Sequence, residues 1–179
     1  MTDEKREPWL NYLALTTVVL AVCATLSTFK GGSYSTRSVL SQSQAADQWA
    51  FYQAKSIKGY LYEIQTDEVE TQLKVNAARW PAETVALYRG LAAEYGARVA
   101  RYEAERAQIQ QEAKRLEERR DHAQRHSQTF GMAVIFLQIA ILLSSISALL
   151  RKKPLWALGA AVGLVGVYYF ITGFFAGAL

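Results

Sequence analysis

Glu118, His122 and His126 recur at intervals of four, which puts one carboxylate and two imidazoles on a single helix face. Two histidines one turn apart suit a divalent ion, and the carboxylate offers a third ligand. Arg119, Asp121 and Arg125 surround them, no general base stands beside the histidines as in a zinc hydrolase, and a solvated helix face is the default reading. Cys23 is the only cysteine, so one chain builds neither a disulfide nor a multi-cysteine zinc site. Leu20-Ala21-Val22-Cys23 approaches a lipoprotein cleavage box, but Val22 stands where a small residue is required, and a membrane-buried thiol is expected instead.

A second polar set lies within otherwise apolar stretches: Asn11, Thr16, Thr17, Thr25, Ser27, Gln138, Ser144, Ser145 and Ser147. None is ionisable, which argues against a proton relay or a path for a charged substrate. Thr17, Thr25, Gln138 and Ser144 are the candidates to line a narrow pore in an oligomer, whereas hydrogen bonding between helices is the default use of such groups. No phosphate loop, nucleophile elbow or pair of carboxylates in a pocket is present. The chain is therefore not expected to be an enzyme or to carry a cofactor.

The element that must position these residues runs from Pro81 to Leu150. Val85, Tyr88, Ala92, Tyr95, Val99, Tyr102, Ile109, Ala113, Leu116 and Ala123 recur at alternating steps of three and four or multiples of them, a coiled-coil seam interrupted by Arg106 and Arg120. A buried Arg at a seam needs a partner, either an acidic or Gln side chain of the first helix or of another subunit, or else its head snorkels outward. The seam leads without a Pro into Phe130–Leu150, which carries no charge and is long enough to span a bilayer.

The remaining elements follow in order. A polar tail, 1–8, precedes a first transmembrane helix over 9–29, with Trp9 and Tyr12 as interfacial aromatics. Ala14, Thr17, Ala21, Ala24 and Thr28 form a small-residue stripe along it, of the kind that lets membrane helices approach closely. Gly31-Gly32 and the following hydroxyl residues predict an interfacial break over 30–37. An extramembrane hairpin then spans 38–128, as helices 38–75 and 81–128 joined by a turn at 76–80. Ala46, Ala50, Ile57, Tyr60, Leu61 and Ile64 are the apolar residues at helical spacing in its first arm. A second transmembrane helix, 129–150, a basic loop, 151–154, and a third transmembrane helix, 155–179, complete the chain. Gly159, Gly163, Gly166, Gly173 and Gly177 share one face of the last helix, which asks for a close neighbour in the same chain or in another subunit.

The predicted fold is thus all-α: three membrane helices and a long antiparallel coiled-coil hairpin whose second arm is continuous with the second span. The net charge of +4 is spread along the hairpin as mixed signs, so nucleic acid is not an expected partner. Short loops obey the positive-inside rule, so Arg151-Lys152-Lys153 places that loop and the N-terminus in the cytoplasm, and the hairpin and C-terminus outside. Lys30, Arg37, Lys114, Arg115, Arg119, Arg120 and Arg125 flank the spans on the other side and pull against this.

The segment Ala46-Asp47-Gln48-Trp49-Ala50-Phe51-Tyr52-Gln53-Ala54-Lys55-Ser56-Ile57-Lys58 resembles the bacterial membrane family known as domain of unknown function 4337. The resemblance extends to the first span, the Glu/Arg-rich returning helix, Leu137-Gln138-Ile139-Ala140 and the basic turn before Trp156. It implies a small bacterial inner-membrane protein, with the hairpin in the periplasm in the orientation above, and brings no catalytic residues. Within the signature Asp47, Gln48, Trp49, Tyr52, Gln53, Lys55 and Lys58 are the candidate interaction residues. Trp49, Phe51 and Tyr52 point to different sides, which predicts hairpins bundled between subunits; the other reading packs Trp49 and Tyr52 on the returning helix near Gln110–Ala113 and leaves Phe51 covering surface. The expected protein is a homo-oligomeric scaffold in membrane lipid, with an envelope protein as a further partner; a homo-oligomeric channel and a metal-responsive protein are the other readings.

Overall fold

A computed structural model describes residues 8–175, in which the chain forms three α-helices and no strand. The predicted residues 1–7 of the tail and Gly177 of the glycine face lie outside the described residues. Helix α1 runs Pro8–Asn76, α2 runs Ala82–Leu150 and α3 runs Lys153–Gly173. Each contains a stretch long and apolar enough to cross a membrane. The fold divides into two compact units, one built from the chain up to Leu40 and from Arg119 onward, the other from Ser41–Glu118.

The interfacial break predicted at 30–37 is absent, because α1 passes through Gly31-Gly32 as uninterrupted helix. The glycine serves close approach instead: a Cβ at Gly31 would stand 3.2 Å from that of Phe130, and the Ser127 hydroxyl donates to the Gly31 carbonyl at 3.1 Å. A helix can accept a glycine pair at roughly 1 kcal/mol per residue when packing makes up the loss.

The reversal between α1 and α2 occupies 77–81. Ala77 N–H and Trp80 N–H close the end of α1 on the carbonyls of Leu73 and Asn76, at 3.0 and 3.1 Å. Pro81 lies just outside α2, and its carbonyl accepts the first bond of the new helix from Val85 N–H at 3.1 Å. Trp80 packs on Tyr88 with ring centroids 4.6 Å apart, which fastens the turn to the helix that follows.

The basic loop is shorter than 151–154. Arg151, with φ of 52°, makes the reversal, and Lys153 and Pro154 already belong to α3. Pro is favoured there because the first helical turn leaves its N–H groups without intrahelical partners. Ser147, fully buried, donates to the Lys152 carbonyl at 2.8 Å and so closes the turn from beneath.

In the unit that holds the three apolar stretches, Leu20, Ala24, Ala133, Leu137 and Ala140 form the core, with Cys23, Val162 and Phe170 packed against it. Gly159, Gly163, Gly166 and Gly173 are all buried. A Cβ would meet the Ala140 carbonyl at 3.3 Å from Gly159, Leu20 at 3.1 Å from Gly163, Leu137 N at 2.9 Å from Gly166 and the Phe130 ring at 2.9 Å from Gly173. The neighbour of the glycine face is therefore chiefly α2 of the same chain, with Leu20 of α1 beside it. Between helices in lipid, this close packing supplies the stabilisation that burial supplies in water.

Candidate functional site

In the Ser41–Glu118 unit, contacts between the helices fall in opposite order along the chain. Trp49 reaches Glu117, Tyr52 reaches Arg106, Lys55 reaches Glu105 and Tyr62 reaches Arg98, so the two segments run antiparallel past each other. Every member of the predicted α2 seam within it, from Val85 to Leu116, is buried or half-buried. What it packs against is aromatic and cationic rather than aliphatic. The Trp49 indole donates to Glu117 at 2.9 Å, and Trp49 meets Tyr52 edge to face at 5.5 Å. Tyr62 stacks on Tyr102 at 5.8 Å.

Arg106 finds neither an acid nor a Gln. It donates to the Tyr52 hydroxyl at 3.1 Å and lies over the rings of Tyr52 and Tyr60 at 5.2 and 5.5 Å, where a guanidinium is attracted to the negative ring face. That hydroxyl hydrogen bond raises its pKa further, so it stays charged at any working pH. Lys55 bridges to Glu105 at 2.5 Å while its ammonium lies over Tyr102 at 5.3 Å, and Arg101 holds the other Glu105 oxygen at 2.8 Å. These two cations keep the Glu105 carboxyl below its ordinary range, Lys55 having the larger effect. Arg120, the other interruption of the seam, pairs with Asp121 at 2.8 Å.

The signature therefore splits. Trp49, Tyr52 and Lys55 are used inside the helix pair and Gln48 is half-buried, while Asp47, Phe51, Gln53 and Lys58 face outward. The aliphatic residues predicted at helical spacing in this arm of α1 do not face α2. Ala46, Ala50, Ile57, Leu61 and Ile64 are exposed, Ile57, Leu61 and Ile64 at 60%, 56% and 64%. The inner face of α1 is instead Ala45, Trp49, Tyr52, Ser56, Gly59 and Tyr62, a set that hydropathy alone ranks below the outer one.

The two polar sets fare differently. Glu118, His122 and His126 are not gathered as a metal site, and no group of three or more His, Cys, Asp or Glu side chains fit to hold a metal ion occurs among the described residues. His126 is 4% exposed, its Nδ1 lies 2.6 Å from the Gly173 carbonyl, and its ring stacks on Tyr34 at 4.5 Å. A carbonyl only accepts, so Nδ1 carries the proton and donates to the last turn of α3. His122 is exposed, its ring 4.7 Å from that of His126.

The pore candidates do not share a face. Ser144 is 1% exposed, beneath Gly159, whereas Thr25 and Gln138 are exposed and Thr17 is half-buried. Thr17 and Thr25 donate to the carbonyls four residues earlier, Leu13 and Ala21, at 2.8 and 2.9 Å, which satisfies a hydroxyl at membrane depth without a partner helix. Of the small stripe on α1, Ala14 and Ala21 are exposed; the face used within the chain is Trp9, Leu13, Leu20, Ala24 and Ser27.

No curated protein and no solved structure matches the chain. A family match covers residues 9–176 and so takes in all three helices, and the chain belongs to the family described as Domain of unknown function (DUF4337).

Proposed function

We propose that this protein is a self-associating membrane scaffold: three spans hold it in a bacterial inner membrane, and a coiled-coil hairpin of residues 41–118 stands in water and binds other copies of itself, with an envelope protein as a further partner. The observation that carries the reading is the outward face of Ile57, Leu61 and Ile64 on a helix segment whose other exposed residues are mostly polar. Leaving such side chains in water costs on the order of 1–2 kcal/mol each, and contiguous exposed apolar surface marks a binding face. The satisfied threonines and the buried Ser144 favour packing over a pore lining.

The loop Arg151-Lys152 lies in the cytoplasm in this reading, and the hairpin outside. Trp9 pairs with Trp156 at 6.4 Å with Lys153 over the Trp9 ring at 6.0 Å, an aromatic and cationic group of the kind found at a membrane surface. The mass of the purified protein in lipid nanodiscs tests the scaffold: a multiple of the 20.0 kDa chain is expected, and a single chain overturns it.

A further inference from the structure

The exposed residues of α1 in the Ser41–Glu118 unit form a continuous ridge. Ala50, Ala54, Ile57, Leu61 and Ile64 follow at steps of four, three, four and three, and all are exposed. Ile57 lies two residues from Gly59 on the inner face, about 200° around the helix, so the ridge faces away from α2.

The returning helix carries the opposite shape. Gly90, Ala93, Ala97, Ala100, Ala104 and Ala107 follow at steps of three, four, three, four and three, again all exposed. Ala97 and Ala104 lie two residues beyond the inward Tyr95 and Tyr102, about 200° around, so this shallow groove faces away from α1. A helix in water normally carries charge on its outer face; this stripe has no side chain larger than a methyl group for five turns.

Ridge and groove also stand level. A Cβ at Gly59 would lie 3.6 Å from that of Tyr102, Lys55 bonds Glu105, and Arg98 bonds Tyr62. Leu61 is therefore level with Ala100, Ile57 with Ala104 and Ile64 with Ala97. Copies related by rotation about an axis parallel to the hairpin bring level surfaces together. Ridge on ridge would leave the groove bare, and groove on groove would leave the ridge in water. Only head-to-tail contact covers both on every copy, and such contacts close into a ring when the rotation permits.

We propose that a second copy of this chain is the occupant of each face: the ridge centred on Leu61 of one hairpin seats on the alanine groove centred on Ala100 of the next. This rests on the self-association reading above and names its interface. The test uses the full chain with Cys23→Ser, carrying Leu61→Cys and Ala100→Cys together and singly, oxidised in membranes. The double variant has its thiols on opposite edges of one hairpin, too far apart to bridge within a chain.

The expected result is a ladder of disulfide-linked dimers, trimers and larger species from the double variant, with each single variant remaining at one chain. Dimers from Leu61→Cys alone would show ridge on ridge and overturn the proposal. No cross-link from the double variant, in a protein whose nanodisc mass is a multiple of the chain, would overturn this interface and leave self-association standing; a single-chain mass would overturn both. An introduced charge pair guards against a folding artefact: Ala100→Glu is expected to lower the nanodisc mass at unchanged helical content, and adding Leu61→Lys to restore it. Failure of that restoration counts against the contact.

Discussion

Glu105 is the residue on which the helix pair concentrates its charge. Lys55 from α1 and Arg101 from its own helix each take one carboxylate oxygen, and both lower its pKa. The folded protein therefore holds this proton less readily than the unfolded chain does. Linkage then gives stabilisation that is complete above the ordinary carboxylate range and is lost as the pH falls through the lowered folded value. Glu105→Gln removes the titrating group. Thermal unfolding between neutral pH and about pH 3 is expected to show a smaller acid loss for Glu105→Gln than for the wild type. Equal losses would place the acid sensitivity elsewhere. Arg106 was legible as an interruption of the seam and Lys55 only as part of the signature, and the partner of neither was legible. A long cationic side chain reaches several turns of the facing helix, and the choice of Tyr52 for Arg106 depends on ring orientation rather than charge.

At the scale of the element, glycines that look alike in sequence do opposite things. Gly31-Gly32 reads as a break because glycine pairs end many helices, yet α1 continues and Gly31 admits α2. The glycine face of α3 was legible as a face, because spacing alone defines one. Its neighbour was not, since α2 meets the glycines with a mixed row of large and small residues, Phe130, Leu137, Ala140 and Ser144, that spacing alone does not single out. Likewise the aliphatic set on α1 was visible by period, but its direction was settled by the tyrosines, whose rings and hydroxyls bury better against cations than against more aliphatic surface. The glycines supply a sharp contrast. A Cβ at Gly166 would stand 2.7 Å from Leu137 Cγ and 2.9 Å from its backbone nitrogen, whereas one at Gly131 meets nothing within 4 Å. Gly166→Ala is expected to cost about 1–3 kcal/mol by overpacking, and Gly131→Ala to be neutral or slightly stabilising. Unfolding in mixed micelles with added SDS measures both; similar losses would show that Gly131 is covered by another copy.

For the whole molecule the open question is which side of the membrane receives the helix pair, and the two bodies of charge disagree. Arg151 and Lys152 form a reversal of two residues, with Lys153 opening α3 directly after it, where the positive-inside rule has its greatest force. Lys30, Arg37 and the basic residues from Lys114 to Arg125 belong to a long helical segment, where Arg115 is matched by Glu112 and Arg120 by Asp121. Charges on a long segment weigh less in orientation than those in a short loop, and the orientation we propose on that ground has the turn at 77–81 outside. Ala78 is exposed at that turn and carries no ring or ion pair, so Ala78→Cys in a Cys23→Ser chain reports its side without disturbing Trp80 on Tyr88. In intact spheroplasts a membrane-impermeant maleimide is expected to label Ala78→Cys and to spare Lys152→Cys until the membrane is permeabilised. The reverse pattern would put the hairpin in the cytoplasm, and any partner of its outer face would then have to be sought among cytoplasmic proteins.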